Sequence, residues 1–230
     1  MKYTYCTLFI SGLIMLASCG QVAIVHYNNG IEKEGQNDHK SALAEYNEAI
    51  KLDPKFDKAY MNRGIVRLLL QDTTGAMADY NKALDINPTN GDAWYNRANL
   101  QFDLAQFTAA RADYDKAISI DPGNKGAWYN RGKVEDTLKH ADTALADYDK
   151  AIQLDPKFVA AYINRGASRS RKGENAAAIA DFTKAIELDS ACEVAYYNRY
   201  AIKFNTHDLK GAKEDWAKLV QLNPEYGKRK

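Results

Sequence analysis

The chain has 230 residues, 46% of them apolar and 27% charged, with a formal net charge of +1. That is ordinary globular composition, long enough for one large domain or two small ones. The charges are interspersed, which excludes both the basic stripe of a nucleic-acid binder and the acidic block of a disordered tail, so no nucleic-acid partner is expected.

Residues 1–18 read MKYTYCTLFISGLIMLAS, with one basic residue, Lys2, ahead of an apolar run from Leu8 to Ala17. The run is too short to span a bilayer as a helix and predicts an export signal. Leu16-Ala17-Ser18-Cys19 then resembles the lipobox of bacterial lipoproteins. The resemblance implies cleavage before Cys19, a diacylglyceryl group on its thiol, and acylation of the new amine by a chain such as palmitate. Such an anchor lays a protein on a membrane rather than in it. An ordinary secretory signal with a cysteine beside the cut is the alternative. Residues 19–22 become the lipidated N-terminus and a short linker, about 10 Å long if extended. Gly20 follows the cysteine where aspartate would mark inner-membrane retention, so the enteric sorting rule implies an envelope location at the outer membrane. Cys6 leaves with the signal and Cys19 carries lipid, leaving Cys192 with no partner for a disulfide.

Beyond the leader the sequence repeats. AYMNRG (59–64), AWYNRA (93–98), AWYNRG (127–132), AYINRG (161–166) and AYYNRY (195–200) recur every 34 residues, and prolines 54, 88, 122, 156 and 224 keep the same period. Six units follow without insertion: 23–56, 57–90, 91–124, 125–158, 159–192 and 193–226, with a basic tail at 227–230. Counted within each unit, position 4 holds His26, Tyr60, Trp94, Trp128, Tyr162 and Tyr196; position 8 is small in the first five units; position 20 is always alanine; position 24 is always aromatic, Tyr46 through Trp216. Positions 4 and 8 share one face of a helix, as do 20 and 24. Each unit is therefore predicted as a helical hairpin, its small residues allowing close approach and its aromatics filling the space beside the crossing.

At positions 4, 8, 20, 24, 27 and 32 the units resemble the tetratricopeptide repeat. The resemblance covers 23–226 and implies an all-α fold, a right-handed solenoid of six helix-turn-helix repeats stabilised by stacking of neighbours. The last unit departs from the pattern, with Tyr200 at position 8 and Leu219 at position 27. This end is expected to seal itself; the alternative is an apolar patch around Trp216, Leu219 and Val220.

Position 7 is arginine in every unit but the first, which has Asn29, and position 23 is acidic throughout. A half-buried arginine needs an acidic partner. Because only the first unit lacks both a predecessor and the arginine, the pattern predicts salt bridges between repeats: Glu45–Arg63, Asp79–Arg97, Asp113–Arg131, Asp147–Arg165 and Asp181–Arg199.

The opposite face of each first helix lines the concave groove in the family. Position 6 is asparagine six times, and position 5 is tyrosine except at Met61 and Ile163. Carboxamides can bind the backbone of an extended peptide, and tyrosines supply flat contact area. Candidate groove residues are Tyr95, Asn96, Asn99, Phe102, Tyr129, Asn130, Lys133 and Asn164; a scaffold role for the asparagines is equally open. No phosphate loop, HExxH or nucleophile elbow is present, and His26, His39, His140 and His207 lack metal-ligand spacing, so neither enzymatic activity nor a metal or cofactor is expected. Two functions remain: a membrane-anchored module binding a protein or peptide partner, comparable with assembly factors, pilotins or protease adaptors, and a homo-oligomer built by end-to-end stacking.

Overall fold

The computed structural model describes the backbone of residues 4–228 and the side chains of 20–228. The side chains of the predicted leader and of Cys19, and tail residues Arg229 and Lys230, lie outside the described residues. Twelve α-helices and one 3-10 segment, with no strand, occupy the described part. They form two compact units, 1–106 and 107–230. The first unit holds α1 (Thr4–Gly35), α2 (His39–Leu52), α3 (Asp57–Leu69), α4 (Thr73–Ile86) and α5 (Gly91–Asp103). The second holds α6 (Phe107–Ile120), α7 (Lys125–Thr137), α8 (Ala141–Leu154), α9 (Val159–Arg171), α10 (Asn175–Leu188), α11 (Glu193–Asn205), α12 (Leu209–Leu222) and the 3-10 turn Pro224–Lys228. Among the described residues no helix is long and apolar enough to cross a membrane.

From the second repeat on, first helices occupy positions 1–13, and every second helix occupies 17–30. Residues 20–22 lie within α1, where the rise is about 1.5 Å per residue.

Every hairpin turn is built alike. Position 15 takes a left-handed backbone conformation in Asn37, Gln71, Ala105, Lys139, Gly173 and His207, and the next amide reaches back five residues, as in Asp72 N to Arg67 O at 2.8 Å and His140 N to Glu135 O at 2.8 Å. This closure satisfies the orphan carbonyls at the end of each first helix. Only Gly173 adopts it without a Cβ penalty. Between hairpins, the side chain at position 31 accepts the amide two residues on, as with Asp53 and Lys55 N (2.9 Å) or Asp155 and Lys157 N (2.9 Å), and the residue between them, proline everywhere but at Ser190, completes a sharp stop.

Within each unit the core consists of alanines and rings. Ala76, Ala83, Ala144, Ala151, Ala178 and Ala185 are fully buried, as are Tyr46, Tyr80, Tyr148 and Phe182. The small position 8 makes room for the position-24 ring as well as for the alanine: a Cβ on Gly132 would meet Tyr148 Cε1 at 2.7 Å. At the C-terminal end, Leu219 is buried and Tyr226 folds back onto Trp216 and Tyr197 with ring centroids 5.9 and 6.3 Å apart. Sealing is partial, since Phe204 and Leu209 remain 54% and 60% exposed.

Candidate protein-binding face

The position-7 arginines Arg63, Arg131, Arg165 and Arg199 each face the second helix of their own hairpin. Arg63 grips Asp79 with two nitrogens (2.9 and 2.7 Å), Arg131 grips Asp147 (2.9 and 2.6 Å), Arg165 grips Asp181 and Arg199 grips Asp215. All of these acids belong to the arginine's own hairpin. The predicted pairing between repeats is thereby corrected: Glu45 is held by His26 (2.7 Å) and Asn29 (3.5 Å) instead of Arg63, and Asp79, predicted for Arg97, takes Arg63 and Arg67. Asp113, Asp147 and Asp181 likewise do not pair with the arginine of the following hairpin; Arg131, Arg165 and Arg199 turn to their own second helices.

A contact between repeats does exist, two residues further along. The remaining guanidinium nitrogen of Arg63 reaches Asn47 (2.8 Å), that of Arg97 reaches Asn81 (2.7 Å), and those of Arg131, Arg165 and Arg199 reach Asp115 (2.6 Å), Asp149 (2.6 Å) and Thr183 (2.8 Å). Arg63, Arg131, Arg165 and Arg199 each lie between two second helices, the planar fork serving the more buried carboxylate while the free nitrogen takes the more exposed neighbour. The position-4 ring covers the guanidinium, Trp128 over Arg131 at 4.7 Å for example. Hydrogen bonding to Asp147 raises the pKa of Arg131, while burial pushes the Asp147 carboxyl upward against the pull of that arginine.

A second line of contacts uses the predicted groove residues. Asn62 Nδ2 donates to Tyr27 OH and Tyr46 OH, both at 3.3 Å, and Asn164 Nδ2 donates to Tyr129 OH at 2.9 Å. Tyr129 also packs on Phe158, centroids 4.8 Å apart, with Lys133 Nζ 5.8 Å from its ring centre. Burial raises its pKa. Tyr129 and Asn164 are thus brought together as a link between hairpins, which limits what they can offer a ligand. Tyr95, Asn99, Phe102, Asn130 and Lys133 are half-buried and engaged within the protein.

The two links share a spacing that the sequence shows only in hindsight: Asn62 and Asn164 each meet the position-5 tyrosine of the hairpin before, Tyr27 and Tyr129. Where that residue is Met61 or Ile163, the next asparagine, Asn96 or Asn198, makes no side-chain hydrogen bond among the described residues. Beside Asn198 lies a recess of about 240 Å³ whose floor includes Phe182 and Ile202 and whose rim includes Ser170, Arg171 and Asn205. None of these was a predicted site residue. The signal that could have found them is the run of position 9, Ile31, Ile65, Asn99, Lys133, Ala167 and Ala201, which shrinks to alanine only in the last two hairpins.

Tetratricopeptide repeat profiles match residues 27–91, 91–124, 126–158 and 159–192. The chain belongs to the tetratricopeptide repeat family, whose members bind protein or peptide partners. Among solved structures, PilF of Pseudomonas aeruginosa is similar at 15% identity and TM-score 0.79, covering 92% of this chain and 97% of that one. PilW, a widely conserved type IV pilus biogenesis factor, is similar at 22% identity and TM-score 0.77, covering 90% and 95%. YrrB, a tetratricopeptide repeat protein with an unusual peptide-binding site, is similar at 22% identity and TM-score 0.69, covering 78% and 92%. These likenesses concern the fold. A search of curated proteins finds no match.

Proposed function

We propose that the chain is a non-enzymatic binding module, lipid-anchored through Cys19 at the bacterial envelope, that holds a segment of a partner protein on the first-helix face of its hairpins. The observation that carries the binding role is the set of polar side chains on that face left without intramolecular partners, Ser170, Asn198 and Asn205 among the described residues. A scaffold role leaves such groups no purpose where their equivalents, Asn62 and Asn164, are engaged. The similarity to a pilus biogenesis factor and to a peptide-binding repeat protein supports an assembly or adaptor role.

The end-to-end oligomer is the weaker reading, because each terminal hairpin lacks its half of the stacking contact. The first has Asn29 in place of arginine, and the last has Ala217 where the others carry Asn47, Asn81, Asp115, Asp149 or Thr183. A second copy stacked on either end would find no fork to complete.

Cell fractionation combined with site-specific photocrosslinking tests the proposal. The native chain should sediment with membranes and the Cys19→Ser variant should not; a photoreactive residue at 201 should give a protein adduct that one at exposed Lys184 does not. Retention of Cys19→Ser on membranes at the native level would refute the anchor, and equal adducts from both positions would refute the binding face.

A further inference from the structure

We propose that the recess between α9 and α11 binds an extended, chain-internal acidic segment of the partner, with a carboxylate side chain on Arg171 and the segment's main chain on Asn198 and Asn205. This rests on the binding role proposed above and assigns that role a place and a ligand chemistry.

The recess exists because hairpin five lacks what fills the same space elsewhere. In hairpin four, Tyr148 OH donates to Asp136 at 3.0 Å, Tyr129 OH accepts from Asn164, and Lys133 covers the Tyr129 ring. The corresponding residues of hairpin five are Phe182, Ser170, Ile163 and Ala167. Two hydroxyls, a carboxylate and a long side chain are gone, and Ala201 leaves the opposite wall equally low. What remains is an apolar floor with polar groups at its edge.

Those polar groups are unengaged. Among the described residues the side chains of Ser170, Asn198 and Asn205 form no hydrogen bond. A carboxamide offers two donors and an acceptor, the complement of an extended peptide unit. The lining contains one charged residue, Arg171, whose side chain is 57% exposed. One edge of its guanidinium meets Asp136 at 2.7 Å. Asp136 is independently held by Ser168 Oγ (2.8 Å) and Tyr148 OH, so a ligand carboxylate can occupy the outer edge of Arg171 without stranding it. With no acid in the lining, charge complementarity favours an acidic ligand over a basic one. The floor, Phe182 and Ile202, accepts the apolar side chain that alternates with the acid along an extended strand.

The test uses the full chain with Cys19→Ser and three blocked peptides, acetyl-Leu-Glu-Leu-Glu-Leu-amide and its Gln and Lys counterparts, followed by NMR of the side-chain amides and by titration. The Glu peptide should shift the Asn198 and Asn205 amides and bind at least fivefold more tightly than the Gln peptide, with the Lys peptide weaker still. Arg171→Ala should remove the Glu-over-Gln preference and leave Gln binding unchanged. Ala201→Ile, which restores the bulk of Ile31 and Ile65, should abolish all three, with helical content and melting temperature showing that the variant folds. Equal binding of the three peptides in the recess would overturn the acidic assignment while leaving the binding face intact. Shifts confined to the faces of Tyr95 or Tyr129 would overturn the recess alone. Absence of any shift, for any peptide at millimolar concentration, would overturn both the recess and the face.

Discussion

Hairpins four (125–158) and five (159–192) share one backbone plan and differ in what hangs from it. In hairpin four Tyr129, Lys133, Asp136 and Tyr148 close the first-helix face into a network, whereas in hairpin five Ile163, Ala167, Ser170 and Phe182 leave it open. The flank shows the reverse asymmetry. Asp181 of hairpin five is held by Arg165 and by Arg169 (2.8 Å), but in hairpin four the residue equivalent to Arg169 is Glu135, itself 4% exposed, with Arg111 at 3.9 Å and His140 at 2.7 Å. The first-helix face can therefore be closed in one hairpin and open in the next without altering a helix boundary.

The largest expected consequence lies on the flank. Arg131→Ala removes the only cation paired with Asp147 among the described residues and leaves it beside Glu135, which should cost about 3 kcal/mol. Arg165→Ala leaves Asp181 its bond to Arg169 and should cost about half as much. Chemical denaturation at pH 7 reads the difference. It should shrink as the pH falls toward 4, because the stranded Asp147 carboxyl, with its folded pKa above the unfolded value, lets the native state bind more protons and gain stability relative to pH 7.

Converting hairpin five toward hairpin four is the next effect in size. Ile163→Tyr places a hydroxyl where Tyr129 carries one, so it should engage Asn198, add about 1 kcal/mol to stability and weaken binding of the Glu peptide. Unchanged stability together with unchanged affinity would break the comparison. The smallest effect belongs to the turns, at φ +68° for Lys139 and +81° for Gly173. Lys139→Gly should raise stability by a few tenths of a kcal/mol, up to about 1, and Gly173→Ala should lower it by about 1 kcal/mol, both measurable as shifts in denaturation midpoint.

The helical-hairpin fold was legible in the sequence because alanines 76, 144 and 178, rings such as Tyr80 and Tyr148, and the prolines obey one undrifting period, and a hairpin burying such a pattern has few alternatives. The turn conformation was hidden, since five of six left-handed residues, Asn37 and Lys139 among them, are not glycine. The arginine pairing was half legible. Its absence from the first repeat did signal a contact with a preceding hairpin, but that contact is made to Asn47, Asp115 and their equivalents, while the uniformly acidic position 23 serves the hairpin itself. Asn164 and Tyr129 looked like two groove groups because a conserved spacing cannot tell a side chain facing solvent from one reaching 35 residues back. The recess escaped notice for a simpler reason: it is made by what Ala167 and Ala201 lack.

The account turns on one asparagine row divided between two duties, and paired alanine substitutions measure that division directly. Asn164→Ala should lower unfolding free energy by about 1 kcal/mol through loss of the bond to Tyr129, whereas Asn198→Ala should leave stability unchanged and abolish binding of the Glu peptide. Equal stability losses at the two sites, or undiminished peptide binding by Asn198→Ala, would contradict it.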